Sequence, residues 1–192
     1  MATITGGRGL SSVLDNLVRQ IESAGTLYVG FLETEKYPDG TPVAQIAYQN
    51  EFGAVIDVEA KQTTIYRSVA SDGSFNKNGK FVKRSASNFA TTHAVAAHQI
   101  NIPSRPFFRQ MIATKKSGWG VSFGRLAVSN NYDFERVLAL MGEGIKDQLT
   151  KSIIDFDNPP NAKSTIRKKG FNNPLIETGQ MQRATGYEVR KE

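Results

Sequence analysis

Apolar residues recur at helical spacing towards both ends of this chain and thin out across residues 54–103. That interruption constrains the fold more than any other feature. At residues 10–23, Leu10, Val13, Leu14, Leu17, Val18 and Ile21 step by 3, 1, 3, 1 and 3, the stripe of an amphipathic helix. At residues 133–154, Phe134, Val137, Leu138, Met141, Ile145, Leu149 and Ile153 step by 3, 1, 3, 4, 4 and 4. This predicts the longest helix, with Asp133 and Glu135 at its positive end. A chain of 192 residues buries roughly 70% of its unfolded surface, so the stripes can share one core.

Between them lie shorter signals. Residues 26–33 (TLYVGFLE) are aromatic and β-branched and predict a strand, as do residues 187–190. Pro38-Asp39-Gly40 predicts a turn, after which Thr41 can cap a helix from Pro42 that ends at Gly53. Pro106 stands at the first turn of a helix beginning Phe107, Phe108, Met111 and Ile112, and 119–128 can continue it beyond Gly118 and Gly120. Asn158-Pro159-Pro160 breaks the chain after residue 154, residues 161–174 read as a polar loop, and Thr178 can cap a last short helix through Met181.

The interruption itself is basic. Between 54 and 110 stand Lys61, Arg67, Lys77, Lys80, Lys83, Arg84, Arg105 and Arg109 against Asp57, Glu59 and Asp72, a net +5 of the chain's +6. Turn residues at 71–74 and 76–79 separate 64–69 from 80–84, which predicts a hairpin with those two arms and a long tip. With so few large apolar residues, 54–103 makes a poor core on its own. It reads as an inserted basic β-hairpin arm within a single domain spanning 1–192.

The residues offer little chemistry. Without cysteine there are no disulfides, thiolate metal sites or thiol nucleophiles. His93 and His98 are five apart with no carboxylate beside them, a poor metal pair. Gly73 to Lys80 has one residue too many for a phosphate loop, and Phe81 stands where a Mg²⁺-holding hydroxyl belongs. There is no G-x-S-x-G elbow. An enzyme is not expected, nor a cofactor. The longest apolar runs are too short for a transmembrane helix, and the first residues lack the apolar core of a secretory leader, so no membrane partner is expected. The basic runs Lys83-Arg84 and Arg167-Lys168-Lys169 read first as solvated surface, with phosphate contact or a protein interface as the sharper alternatives.

Four motifs occur in order: Asn50-Glu51-Phe52-Gly53, Ile102-Pro103-Ser104-Arg105-Pro106-Phe107-Phe108-Arg109, Ser164-Thr165-Ile166-Arg167-Lys168-Lys169-Gly170, and Pro174-Leu175-Ile176-Glu177-Thr178-Gly179-Gln180-Met181. As a series they resemble the neck or tail-completion (virion morphogenesis) proteins of tailed bacteriophages, over about residues 10–189. The resemblance implies an α+β fold, a small mostly antiparallel sheet flanked by helices with a long inserted hairpin. It implies a structural virion protein with no catalytic residues: an adaptor ring joining the head connector to the tail around the DNA exit channel. The expected partners are copies of itself, six foremost with twelve as the alternative, a head-completion or connector protein, and a tail terminator or tube protein. Non-specific contact with exiting DNA is a further expectation. The expected location is the virion neck, assembled in the host cytoplasm.

The interface candidates are Arg105, Phe107, Phe108 and Arg109, with Tyr66, Arg67, Lys80, Phe81, Lys83 and Arg84 on the arm. Lys77, Arg167, Lys168 and Lys169 are basic residues for the channel or a partner. Two alternatives stand beside this reading: a tail terminator capping the tube, and a nucleic-acid-binding protein using the basic arm.

Overall fold

The structure, a computed structural model, describes residues 7–191. In chain order its elements are α1 (Gly7–Ala24), β1 (Thr26–Phe31), α2 (Val43–Phe52), β2 (Ala54–Val58), β3 (Lys61–Arg67), β4 (Phe89–Val95), β5 (His98–Ile102), α3 (Phe107–Ser129), α4 (Phe134–Ile154), α5 (Lys163–Lys169), α6 (Gln180–Arg183) and β6 (Thr185–Arg190). The fold is α+β, and its strands form three separate two-stranded antiparallel sheets. The chain divides into two compact units, Ala54–Ile102 and the remainder.

In the larger unit β1 pairs with β6, Thr26 opposite Arg190 and Phe31 opposite Thr185. Helix α4 lies against this ribbon. Gly142 makes the fit possible, because a Cβ there would run into the Tyr187 ring. The Thr150 and Thr185 hydroxyls meet at 2.6 Å on the same face. Helices α3 and α4 form a hairpin whose turn holds Asn131 and Tyr132 at φ 52° and 62°. Asp133 then caps α4, accepting the Arg136 N–H at 3.1 Å. Trp119 Nε1 donates to Gln148 Oε1 at 2.9 Å and ties the two helices together. Phe107, Leu149, Ile153, Val43 and Val137 are the most deeply buried side chains.

Several expectations change. The longest helix is α3, at 23 residues against 21 for α4. It runs unbroken through Gly118, Gly120 and Gly124 because Met111, Trp119, Phe123 and Ala127 anchor it in the core clusters on either side of them. The α1 stripe is only partly used: Leu17 and Ala24 pack, while Val13, Leu14 and Val18 are each more than half exposed. Thr41 does not cap α2. Its own N–H is instead held by Asp39 Oδ1 at 3.0 Å, closing the turn before the helix. Residues 163–169 are helical and not loop. Three cations in the last turn suit its negative end, and Gly170, at φ 82°, stops it.

The smaller unit is one long ribbon. Val58 faces His98 and Lys61 faces Val95, so Glu59-Ala60 lies opposite Ala96-Ala97 with no change of register. The ribbon is made of two successive ladders, five residue pairs of β2 with β5 and seven of β3 with β4, joined through residues 59–60 and 96–97. The second arm is therefore β4 and β5, and not 80–84. The uncharged stretch from Phe89 supplies the β-branched Thr91, Thr92 and Val95 that face β3. Residues 80–84 instead fold back over the end of the ribbon, with Val82 N–H donating to the Tyr66 carbonyl at 3.0 Å.

Candidate functional site

The four motifs meet in the larger unit. Glu51, 5% exposed, is the buried charged side chain among the described residues. It lies at i+8 from Val43 and i+4 from Ala47, on the buried face of α2. Its carboxylate accepts the N–H groups of Phe108 and Arg109 at 2.9 and 3.1 Å, and Arg109 Nε at 2.8 Å. Pro106 offers α3 no side-chain cap, so Glu51 satisfies two of that helix's orphan donors from a distant helix and sets a negative charge at its positive end. The Glu51 carbonyl accepts from Ser104 Oγ at 2.8 Å and from Arg109 at 3.0 Å. Arg105 bonds Asn50 twice, backbone to backbone at 2.6 Å and guanidinium to Oδ1 at 2.7 Å. Burial pulls the Arg105 guanidinium below its ordinary pKa, and its Nε is buried without a partner. The Arg109 guanidinium lies over the exposed Phe52 ring, 4.7 Å from its centre. The first two motifs are thus a latch joining the chain before the insertion to the chain after it.

The other two motifs line a groove of about 750 Å³ beside that latch. Ile46 and Asn50 line it from α2, and Thr165, Lys168 and Lys169 from α5. Leu175, Ile176, Glu177 and Met181 complete the lining with Tyr37 and Asp39. Lys169 Nζ donates to the Asn173 carbonyl at 2.7 Å and sits 5.0 Å over Phe171. Burial pulls the Lys169 amine below its ordinary range, Glu177 pushes the other way, and Arg105 adds to the lowering. Tyr37 is pushed up, chiefly by burial and then by Glu177 and Asp39. The lining combines apolar Ile46, Leu175, Ile176 and Met181 with charged Asp39, Lys168, Lys169 and Glu177.

Two of the interface candidates change role. Phe107, 2% exposed, is a core residue, edge-on to Phe31 at 6.3 Å, and cannot be an interface anchor. Phe108 stacks beside it at 6.4 Å and is only partly buried against the same cluster. Arg167 is exposed at the end of α5.

The arm candidates gather at the far end of the ribbon. The Arg67 guanidinium lies between two rings, 5.5 Å from the centre of Phe75 and 5.3 Å from that of Phe81. Phe75 meets Phe89 edge-on at 5.7 Å. Asn88 extends the ladder with its side chain, accepting the Val69 N–H and donating to the Val69 carbonyl, both at 2.7 Å. Asp72 closes the outermost turn on Ser74, whose donors hold that carboxyl below its ordinary range. Lys77 turns the chain at φ 51°. Lys77, Lys80, Lys83 and Arg84 are exposed, as is Phe81 at 68%, while Tyr66 is partly covered opposite Ala90.

In the sequence Glu51 stands out only by its spacing behind Val43 and Ala47 on the apolar face of α2. Phe75 and Asn88 carry no such signal, because their partners are set by the fold of the tip. Among the described residues no group of three His, Asp or Glu side chains is placed to hold a metal ion, and no helix is long and apolar enough to cross a membrane. Compared with known proteins, the chain matches no family model, no curated protein and no solved structure.

Proposed function

We propose that this protein is a structural subunit of the neck of a tailed bacteriophage, an adaptor that closes into a ring between head connector and tail around the DNA exit channel. One observation carries the reading. The four motifs that resemble the neck and tail-completion family, scattered from Asn50 to Met181, come together as one latch and one groove. Residues that meet in space without catalytic chemistry are what a docking subunit needs. The groove would take a segment of a neighbouring virion protein, and the protein is proposed to act without catalysis or cofactor. The ribbon supports the same reading, since a two-stranded ribbon with so little core is marginal alone and gains by being covered in an assembly.

The test is an image of the purified neck by cryo-electron microscopy, beside particles made without this protein. Closed rings of it at the head–tail joint, and tailless heads in its absence, are the expected outcome. Normal infectious particles without it would end the proposal. A ring of it already capping the top of free tails, before they join heads, would favour the terminator.

The tip of the ribbon favours a second reading, nucleic-acid binding. Exposed Phe81, with exposed Lys77, Lys80, Lys83 and Arg84, combines stacking surface with phosphate-neutralising charge. Affinity for DNA should then fall by roughly 0.9 log units per log unit of salt for each phosphate contact. Binding unchanged in a variant with all four cations replaced by Gln would dismiss it.

A further inference from the structure

Helix α1 packs by one side and leaves the next ridge bare. Leu17 and Ala24 face the core, while Leu14 and Val18 are more than half exposed and Ile21 continues their line at 39%. Asp15 and Glu22, both exposed, run along the outer edge of that line. Arg19 does not neutralise them, since its guanidinium donates to Asn16 Oδ1 at 2.8 Å. Among the described residues neither carboxylate enters an ion pair. A surface that covers this ridge should be apolar with cations along one edge. Helix α3 carries such a surface. Its Val121 and Val128 are more than half exposed, and exposed Arg125 and Lys115 lie to one side of them, again without an ion pair among the described residues. The two surfaces do not cover each other within one copy, because both are open to solvent.

We propose that the bare ridge of α1 docks, antiparallel, on the outer face of α3 in a second copy of this chain. Seen down each helix from its N-terminus, the charges lie on the same side of the apolar line, so an antiparallel crossing sets acids against cations. At 1.5 Å per residue, Asp15 and Glu22 are about 10 Å apart along the axis and Arg125 and Lys115 about 15 Å. With Asp15 beside Arg125, Glu22 therefore comes within one turn of Lys115. Like pairings lack this match. Two antiparallel α1 helices would set Asp15 against Glu22 of the other copy, and two α3 helices would set Arg125 against Lys115. A parallel pair of either kind brings no opposite charge to either edge. The basic tip of the ribbon is a poorer cover, because its exposed rings, Phe75 and Phe81, already lie against Arg67. The contact joins unlike faces and is independent of the neck reading.

Sedimentation equilibrium of the full chain over a range of concentrations tests it. The protein should associate, into a dimer if the contact is made twice about a two-fold axis or into a larger closed species if it is made once per copy. Val18→Glu, at an exposed site, should weaken association about tenfold or more while the circular dichroism stays unchanged. Asp15→Lys and Arg125→Glu should each weaken it similarly. The two single variants mixed together should associate more tightly than either alone, because the α1 of each then meets an opposite charge on the α3 of the other. A chain carrying both changes should return to within about threefold of the unaltered protein, the like-charge conflict having been removed. Association indifferent to Val18→Glu, or not restored by the double reversal, would overturn the contact. So would a mass that stays monomeric at every concentration. Whether a neck ring exists is decided separately by imaging, so failure here leaves that reading standing.

Discussion

Glu51 and Arg109, fifty-eight positions apart in sequence, meet at 2.8 Å, and the carboxylate is buried while the guanidinium is half exposed. The asymmetry decides which partner matters. Removing Arg109 leaves Glu51 with the Phe108 and Arg109 N–H groups, whereas removing Glu51 strands those donors at the start of a 23-residue helix. Glu51→Ala should cost about 2–4 kcal/mol and Arg109→Ala about 1 kcal/mol. Urea denaturation of both variants checks the order; equal losses would mean the ion pair outweighs the cap.

Gly142 lies directly beneath the Tyr187 ring. Gly142→Ala should therefore destabilise the protein by about 1–3 kcal/mol, despite the better helix propensity of alanine, because overpacking must shift β6 or α4. Gly144, two residues on, has open space around it, so Gly144→Ala should be neutral or stabilising by up to about 1 kcal/mol. Thermal melts of the two variants side by side separate steric from helical effects.

Asn88 holds Val69 at both its N–H and its carbonyl. Asn88→Ala should loosen residues 68–88 and leave the ribbon from 54 to 67 paired. Hydrogen exchange should rise at Val69 and Val82 while Thr63 and Thr92 keep their protection. Uniform loss along both strands would show the tip to be holding the whole ribbon together.

Lys169 has its folded-state pKa below the unfolded value because burial disfavours the charged amine. The cost is present while both states are protonated, at pH below the folded pKa, and is relieved as pH rises from the folded towards the unfolded pKa. The amine should therefore react with an acylating reagent at lower pH than an ordinary lysine. Glu177→Gln, which removes the group opposing the shift, should move that reactivity lower still. Mass spectrometry of the labelled peptide follows it, and an unchanged profile in Glu177→Gln would remove Glu177 from the account.

The amphipathic core helix α4 and the strands β1 and β6 were legible because their apolar periods are long and clean. The ribbon was legible as a hairpin but not in its pairing. Lys80 to Arg84 alternates like a strand, yet β4 between Phe89 and Val95 is Ala, Thr and His, which carry little apolar signal and pair through backbone bonds. Helix α5 was hidden because no apolar stripe marks it; its helical state rests on end charges and Gly170. The groove could not be seen at all, since Asn50, Lys168 and Ile176 become neighbours only through tertiary packing.

The unbroken register of the ribbon has a mechanical consequence. Both strands enter and leave through adjacent residues, Ala54 opposite Ile102. A pull on the tip along the ribbon stretches the two strands together and places little shear on the bonds between them. The tension arrives undiminished at Gly53 and Pro103, where the Asn50–Arg105 and Glu51–Arg109 contacts receive it. Because the two segments are drawn the same way, those contacts, like the ladder, carry little shear between the segments they join.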